Sequence, residues 1–152
     1  MSNNSSPAGG RGLLVIGYGN TLRGDDGVGP RVAEAVEKLN LPGVRTLICQ
    51  QLSPEYADPV SRAHTVVFVD AAVDAPREVQ LRKLEPGESS QLMAHAADPR
   101  TMLALARDVF GHAPLAWWLT IPAVKLDFSE TLTPEAKRGF VETVEKIQKL
   151  CL

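Results

Sequence analysis

The sequence predicts a single α/β domain in which a mostly parallel, twisted sheet of about five strands lies between two layers of helices. Short apolar runs of strand-like length alternate along the chain with segments whose apolar residues recur at helical spacing. Three of the helical segments begin with Ser, Asp or Thr followed by proline, a pair typical of a helix N-cap and first turn. These pairs are Ser53-Pro54, Asp98-Pro99 and Thr133-Pro134. Parallel strands joined by helices give the three-layer α/β/α architecture that we expect here.

The first half of the chain supplies three of the predicted strands. Residues 13–17 form an apolar run bounded by glycine, as expected of a strand buried on both faces. A helix follows over 30–39, where four apolar residues recur at helical spacing. Residues 44–49 form the second strand, and a helix then starts at the first Ser-Pro pair. The third strand covers 65–69 and ends in Asp70.

The second half adds two strands and two helices. Residues 78–84 alternate between apolar and polar side chains, which predicts a half-exposed strand at a sheet edge. A helix runs from Asp98 to a stop at Gly111, and residues 115–121 form the last strand. The final helix begins after Thr133 and carries an apolar stripe that ends at Cys151.

Composition limits the classes of function. The net charge is −2 without a basic block, so nothing indicates a nucleic-acid partner or an anionic membrane surface. No apolar segment approaches the roughly 18–20 residues of a membrane span. Two unpaired cysteines give no disulfide framework, which favours a reducing, cytoplasmic location. We expect residues 1–11 to form a flexible tail and residues 12–152 to form the domain.

The glycine-rich loop after the first strand resembles a dinucleotide-binding loop but departs from its spacing. Gly17 and Gly19 are followed by Leu22 where the third glycine of the fingerprint belongs. Asp25 and Asp26 place negative charge where a pyrophosphate would need bare N–H groups. The loop therefore favours a cation over a phosphate.

Asp26, Asp70 and His95 are the residues we expect at a cation site. Each follows a strand or stands on a loop at the edge where ligands of such sheets bind, and carboxylates with an imidazole suit a first-row divalent metal. Simpler interpretations remain open, since adjacent aspartates also cap helices and a lone loop histidine is more often a surface residue. His64 and His112 are more simply explained as structural or solvated.

These residues carry a resemblance to the nickel–iron hydrogenase maturation endopeptidases, a family of proteases that process the hydrogenase large subunit. The first block is quite specific and reads Gly17-x-Gly-Asn20-x-Leu22-x-x-Asp25-Asp26-Gly27-x-Gly29. Phe68-Val-Asp70-Ala resembles the second block, in which a strand delivers an aspartate. Ser90-Gln-Leu-Met-Ala-His95 resembles the third, and Leu119-Thr-Ile-Pro122 matches the C-terminal layout more loosely.

The resemblance implies an endopeptidase that removes the C-terminal extension of a hydrogenase large-subunit precursor after nickel has been inserted. It implies that Asp26, Asp70 and His95 are both the catalytic residues and the metal contacts. Asp25 would support the loop through backbone hydrogen bonds or would contact the metal ligands without touching the metal. Gly19, Asn20 and Gly27 would also support the site. Nickel would arrive with the precursor, zinc or cadmium can take the same position in vitro, and the enzyme would be a cytoplasmic monomer with no cofactor of its own.

The chain departs from the family pattern at two positions. Many members carry glutamate where this chain has Asp26, and they usually carry glycine where it has Thr120. Two other classes of function stay open at this stage. One is a nucleotide-binding α/β module, and the other is an adaptor that docks on a metalloprotein precursor without cutting it.

Overall fold

The computed structural model describes residues 12–73, 77–87 and 98–151. The predicted tail at 1–11 and the loop that carries His95 lie outside these residues.

The described residues build one five-stranded sheet in the order β2-β1-β3-β5-β4. Four strands are parallel, and β4 pairs antiparallel with β5 at one edge. This confirms the predicted fold class and the position of the edge strand. The strands are β1 (Leu13–Tyr18), β2 (Val44–Cys49), β3 (Thr65–Ala72), β4 (Gln80–Leu84) and β5 (Leu115–Pro122).

Helices cover both faces of the sheet, as predicted. On one face α1 (Val28–Leu39) lies beside α4 (Pro134–Leu150), and their apolar residues pack on Val67 of β3. On the other face α2 (Ala57–Ser61) lies beside α3 (Pro99–Phe110), and both pack on a core that contains Phe68. Successive residues of β3 therefore point into different cores, as the pleat of a strand requires.

Two of the three predicted helix caps form. The side chains of Asp98 and Thr133 accept hydrogen bonds from the second or third N–H of α3 and α4. Ser53 does not cap. Its hydroxyl donates to Glu55 at 3.0 Å, and a 3-10 turn precedes α2 at this point. Ser53 thus occupies the predicted N-cap position with proline in the following turn, but the expected side-chain capping hydrogen bond does not form.

The boundaries at the carboxyl ends of two strands also differ from the predictions. β1 continues to Tyr18, and β3 runs through Asp70 to Ala72. Asp25 and Asp26 lie in a 3-10 turn, Gly24–Gly27, that leads directly into α1. Asp70 is thus held by pairing on a strand, since it lies opposite Thr120 of β5.

The glycine pair Gly17 and Gly29 lets α1 approach β1 closely. A Cβ atom on Gly17 would lie 2.1 Å from the carbonyl oxygen of Gly29. This close approach of helix and strand is what the third glycine of a dinucleotide fingerprint provides. The chain achieves it with Gly29, seven residues beyond Leu22.

Trp117 and Trp118 point to opposite faces of β5, as the alternation of a strand requires. Trp117 packs against the core beneath α1 and α4, and Trp118 packs against the core beneath α2 and α3. None of the helices in the described part of the chain is long and apolar enough to cross a membrane.

Candidate functional site

The glycine-rich loop is braced against the segment that connects β5 to α4. Arg23 forms a parallel bridge with Ser129, and the N–H of Gly24 donates to the Ser129 carbonyl at 2.7 Å. The N–H of Ser129 donates back to the carbonyl of Leu22 at 2.9 Å. The two loops therefore form one structural unit at the carboxyl edge of the sheet.

Asp25 is the centre of this brace. Its side chain is fully buried and accepts four hydrogen bonds from the facing segment. The N–H groups of Val124 and Lys125 reach Oδ2 at 2.8 and 3.2 Å. Thr133 donates twice, from its N–H to Oδ1 at 2.8 Å and from its hydroxyl to Oδ2 at 2.7 Å.

The pKa of Asp25 is held below its ordinary value of 3.8. Burial alone would raise it, but the hydrogen bonds from Thr133, Val124 and Lys125 stabilise the charged form and outweigh burial. Thr133 is also the N-cap of α4, and its hydroxyl oxygen accepts from the N–H of Ala136 at 3.2 Å. Asp25 thus ties the loop to the start of the last helix as a permanently charged anchor.

Asp26 points the other way and is half-buried. Its Oδ2 accepts from the backbone N–H of Asn20 at 2.7 Å, and the Asn20 side chain accepts from the N–H of Leu22 at 2.9 Å. Gly19 adopts a φ of 145°, and a Cβ there would lie 2.0 Å from the carbonyl oxygen of Asp26. Gly27 packs against Thr21 in the same way. These contacts fix the backbone that presents the Asp26 carboxylate.

Asp70 lies on β3 within reach of Tyr18 on the neighbouring strand. The Tyr18 hydroxyl donates to Oδ2 of Asp70 at 3.1 Å. Burial raises the pKa of Asp70 to about 6, although the hydrogen bond from Tyr18 partly opposes it. The negative charge of Asp26 raises this pKa further, whereas the Trp118 indole lowers it.

The charge of Asp26 acts on Asp70, so the two carboxylates lie within electrostatic range of each other at this edge of the sheet. Like charges at short range disfavour each other, and a cation placed between them would favour the charged form of both. Oxygen donors of this kind suit a divalent metal. Asp26 and Asp70 therefore fit one side of a metal site.

The third predicted residue, His95, lies outside the described residues. Within the ranges that the structure describes, no group of three histidine, cysteine, aspartate or glutamate side chains is close enough to hold a metal ion. Of the three predicted residues the structure describes Asp26 and Asp70, and the charge of Asp26 acts on Asp70. The three-residue site stays a prediction. His64 and His112 are both exposed and lie away from the pair in sequence and on other loops.

Three contributors to this edge were not anticipated from sequence: Tyr18, Trp118 and Thr133. The pairing of Gly17 with Val69 sets Tyr18 beside Asp70, but only once β1 and β3 are known to be neighbours. Trp118 lies opposite Phe68, one strand further along. Thr133 was recognised as a helix cap, yet nothing in the sequence pairs it with Asp25.

Two of the cavities formed by the described residues lie apart from the aspartate pair. One of about 630 Å³ lies between the ends of β3 and β5 and the first turns of α4, and another of about 580 Å³ lies between α1 and α4. Neither Asp26 nor Asp70 is among their lining residues. The pair lies instead at the carboxyl edge of the sheet, at the start of α1 and on β3.

Comparison with known proteins gives a match in structure alone. No protein-family model and no curated protein sequence matches the chain. Solved structures match over nearly the whole length. The [NiFe] hydrogenase maturation protease HybD from Thermococcus kodakarensis is 24% identical with a TM-score of 0.70, over 93% of this chain and 99% of that one.

Two further structures agree. The [NiFe] hydrogenase maturation protease HycI from Thermococcus kodakarensis KOD1 is 21% identical with a TM-score of 0.73, and 92% of each chain is covered. The hydrogenase maturating endopeptidase HybD from E. coli is 22% identical with a TM-score of 0.67, over 90% of this chain and 89% of that one. The resemblance seen in the sequence is thereby confirmed at the level of architecture: the chain has the fold of the hydrogenase maturation proteases.

Proposed function

We propose that this protein is an endopeptidase that removes the C-terminal extension of a [NiFe]-hydrogenase large-subunit precursor. The observation that carries the proposal is the Asp26–Asp70 pair. It lies at the ligand-binding edge of a fold shared with hydrogenase maturation proteases, and Asp26 belongs to the sequence block that most resembles theirs.

The paired carboxylates would recognise nickel already held by the precursor. Without a cation, Asp26 and Asp70 repel each other, and burial adds to the cost of charging Asp70. A precursor that brings a divalent metal removes this cost, whereas a metal-free precursor does not. The enzyme would therefore select the loaded precursor by charge complementarity.

His95 completes the proposed set of ligands. It precedes Asp98, the N-cap of α3, by three residues in the sequence. The charge of Asp98 acts on Tyr18, which itself contacts Asp70, so the start of α3 lies on the same side of the sheet as the pair. This position of Asp98 supports His95 as the third ligand.

The proposed reaction at this site is the hydrolysis of a single peptide bond. A metal held by Asp26, Asp70 and His95 would polarise the scissile carbonyl or lower the pKa of a bound water. The protein's own contribution is to hold the ligands on a braced loop and a paired strand. Such rigid support is what ligand geometry requires.

The structure argues against the nucleotide-binding alternative. A phosphate-binding loop needs free backbone N–H groups, but those of this loop already donate to protein acceptors. The N–H of Asn20 donates to Asp26, that of Gly24 to Ser129 and that of Asp25 to Lys125. The adaptor alternative differs from the protease only in whether the precursor is cut.

The test is incubation of the purified protein with nickel-loaded and metal-free precursor, followed by mass spectrometry. We expect loss of the C-terminal extension from the loaded precursor alone. Asp26→Asn, Asp70→Asn and His95→Ala should each lower the processing rate by more than about 100-fold. Loss of a residue that only orients a metal ligand typically costs about 10–100-fold. Asp127→Asn is the matched control, since this carboxylate is exposed on the facing loop.

The outcomes separate the candidate functions. Binding of the loaded precursor without any mass loss would establish the adaptor in place of the protease. Cleavage at the wild-type rate by any of the three variants would remove that residue from the site.

A further inference from the structure

We propose that Tyr18 is a positioning residue that holds the Asp70 carboxylate in the orientation needed to contact the metal of the precursor. The contact between Asp70 and the metal rests on the proposed function. The contact between Tyr18 and Asp70 rests on the structure alone. The carrying observation is the hydrogen bond from the Tyr18 hydroxyl to Oδ2 of Asp70, 3.1 Å long and linking two neighbouring strands.

The position of Tyr18 is fixed by the sheet. Gly17 pairs with Val69 and Tyr18 pairs with Cys49, so the tyrosine lies between β2 and the end of β3. Its side chain is 9% exposed and belongs to the same core as Leu14 and Ile16 on its own strand. The ring is therefore packed, and its hydroxyl reaches the aspartate from a rigid base.

The direction of the hydrogen bond is equally defined. A phenol hydroxyl carries one proton, and a carboxylate oxygen can only accept. The Tyr18 hydroxyl therefore donates to Oδ2 of Asp70. A hydrogen bond to a charged acceptor is stronger than one between neutral groups, so it favours one rotamer of Asp70.

Trp118 does not replace Tyr18 in this role. Its indole nitrogen is buried and forms no hydrogen bond among the described residues. The Arg82 guanidinium lies over the Trp118 ring, 5.4 Å from its centroid, and this contact restrains the indole. The Tyr18 hydroxyl is thus the side-chain donor that the described residues place on Asp70.

Position 18 is one of the unspecified positions in the glycine-rich block that resembles the hydrogenase maturation endopeptidases, Gly17-x-Gly-Asn20. Residues that hydrogen-bond to a metal ligand and orient it typically contribute about 10–100-fold to affinity or activity. We assign that role to Tyr18.

The experiment compares Tyr18→Phe with wild type, using Tyr56→Phe as the matched control because the chain has two tyrosines. Phenylalanine fills the same space and removes only the hydroxyl. Three-bond NMR couplings from the Asp70 side-chain carboxyl carbon to its backbone nitrogen and carbonyl carbon measure whether one χ1 rotamer dominates. Processing of nickel-loaded precursor is measured on the same three proteins, with kcat and KM separated.

We expect a single Asp70 rotamer in wild type and Tyr56→Phe, and averaged couplings in Tyr18→Phe. We also expect kcat of Tyr18→Phe to fall about 10–100-fold, with KM within about twofold of wild type. Retention of the single rotamer in Tyr18→Phe would overturn the inference, and so would averaged rotamers with unchanged kcat. If wild type fails to cut the loaded precursor, the proposed function falls, whereas the hold of Tyr18 on Asp70 is still decided by the couplings.

Discussion

Asp25 and Asp70 are two carboxylates at the same edge of one sheet, and their surroundings are opposite. Asp25 is fully buried, accepts four hydrogen bonds, and has its pKa held below the ordinary value. Asp70 is half-buried, accepts one side-chain hydrogen bond from the described residues, and has its pKa raised to about 6. One is stabilised as an anion, and the other is destabilised as an anion.

The difference separates a structural carboxylate from a functional one. A buried carboxylate that already accepts four hydrogen bonds within the protein has little left to offer a ligand. A carboxylate with an unfavourable charge and a like-charged neighbour gains from a cation, and such groups are concentrated at functional sites. We therefore assign Asp25 to the fold and Asp70 to the proposed metal contact.

The largest expected effect comes from replacing the structural carboxylate. Asp25→Asn turns one acceptor oxygen into a donor that faces the N–H groups of Val124 and Lys125 or those of Thr133. Losing charge-assisted hydrogen bonds and burying unpaired donors should lower the free energy of unfolding by about 3 kcal/mol or more. Urea denaturation measures this change.

Asp127→Asn provides the control for that experiment, because it makes the same chemical change at an exposed position of the same connection. Its free energy of unfolding should stay within about 0.5 kcal/mol of wild type. Equal stability of Asp25→Asn and Asp127→Asn would show that the hydrogen bonds to Asp25 do not brace the fold.

The next effect concerns pH and has opposite signs at the two carboxylates. A carboxyl whose pKa is raised from 3.8 to about 6 binds its proton more tightly in the folded state. Folding is then favoured most below about pH 4, and this contribution is lost as the pH rises through 6. Asn cannot ionise, so Asp70→Asn avoids this loss. Relative to wild type, its free energy of unfolding should rise by about 1–3 kcal/mol between pH 4 and 7, the lower value reflecting solvent screening.

Asp25 gives the reverse dependence. Because its pKa is lowered, its contribution to stability is present above 3.8 and is lost as the pH falls through the lower folded-state value. The stability difference between wild type and Asp25→Asn should thus shrink in acid, while that for Asp70→Asn moves the other way. Denaturation curves from pH 3 to 8 measure both, and parallel curves for the two variants would refute the contrast.

A smaller effect isolates one donor of the brace. Thr133→Val keeps the shape of the side chain but removes the hydroxyl that donates to Asp25 and caps α4. Loss of one charge-assisted hydrogen bond and one cap should cost about 1–3 kcal/mol. Thr133→Ser retains the hydroxyl and should recover most of this loss, so a serine variant as unstable as valine would assign the effect to packing.

Most of the fold could be predicted from the sequence. The strand 44–49 was predicted with the observed ends, and the edge strand was placed correctly because its apolar and polar residues alternate. The ends of β1 and β3 were missed because Tyr18 and Asp70 are polar or amphipathic, and the apolar pattern stops before them. Only pairing with neighbouring strands extends β3 to Ala72.

The site was predictable only in part. The spacing of glycines and aspartates identified the loop, and strand ends identified Asp70, since each is a local feature of sequence. The resemblance assigned Asp25 to supporting the loop and Asp26 to the metal, but the partners of Asp25 lie in the segment 124–133, about 100 residues away, and could not be predicted. The contact between Tyr18 and Asp70 likewise depends on which strands are neighbours.

The most direct test of the contrast is the rate at which folded Asp70→Asn processes nickel-loaded precursor at pH 7. The variant should be at least as stable as wild type at this pH and yet process the precursor more than about 100-fold more slowly. This loss exceeds the effect typical of residues that only orient a metal ligand. Asp25→Asn, compared per folded molecule, should retain far more activity. Wild-type processing by Asp70→Asn would contradict the account, because it would leave the aspartate pair without a role in cleavage.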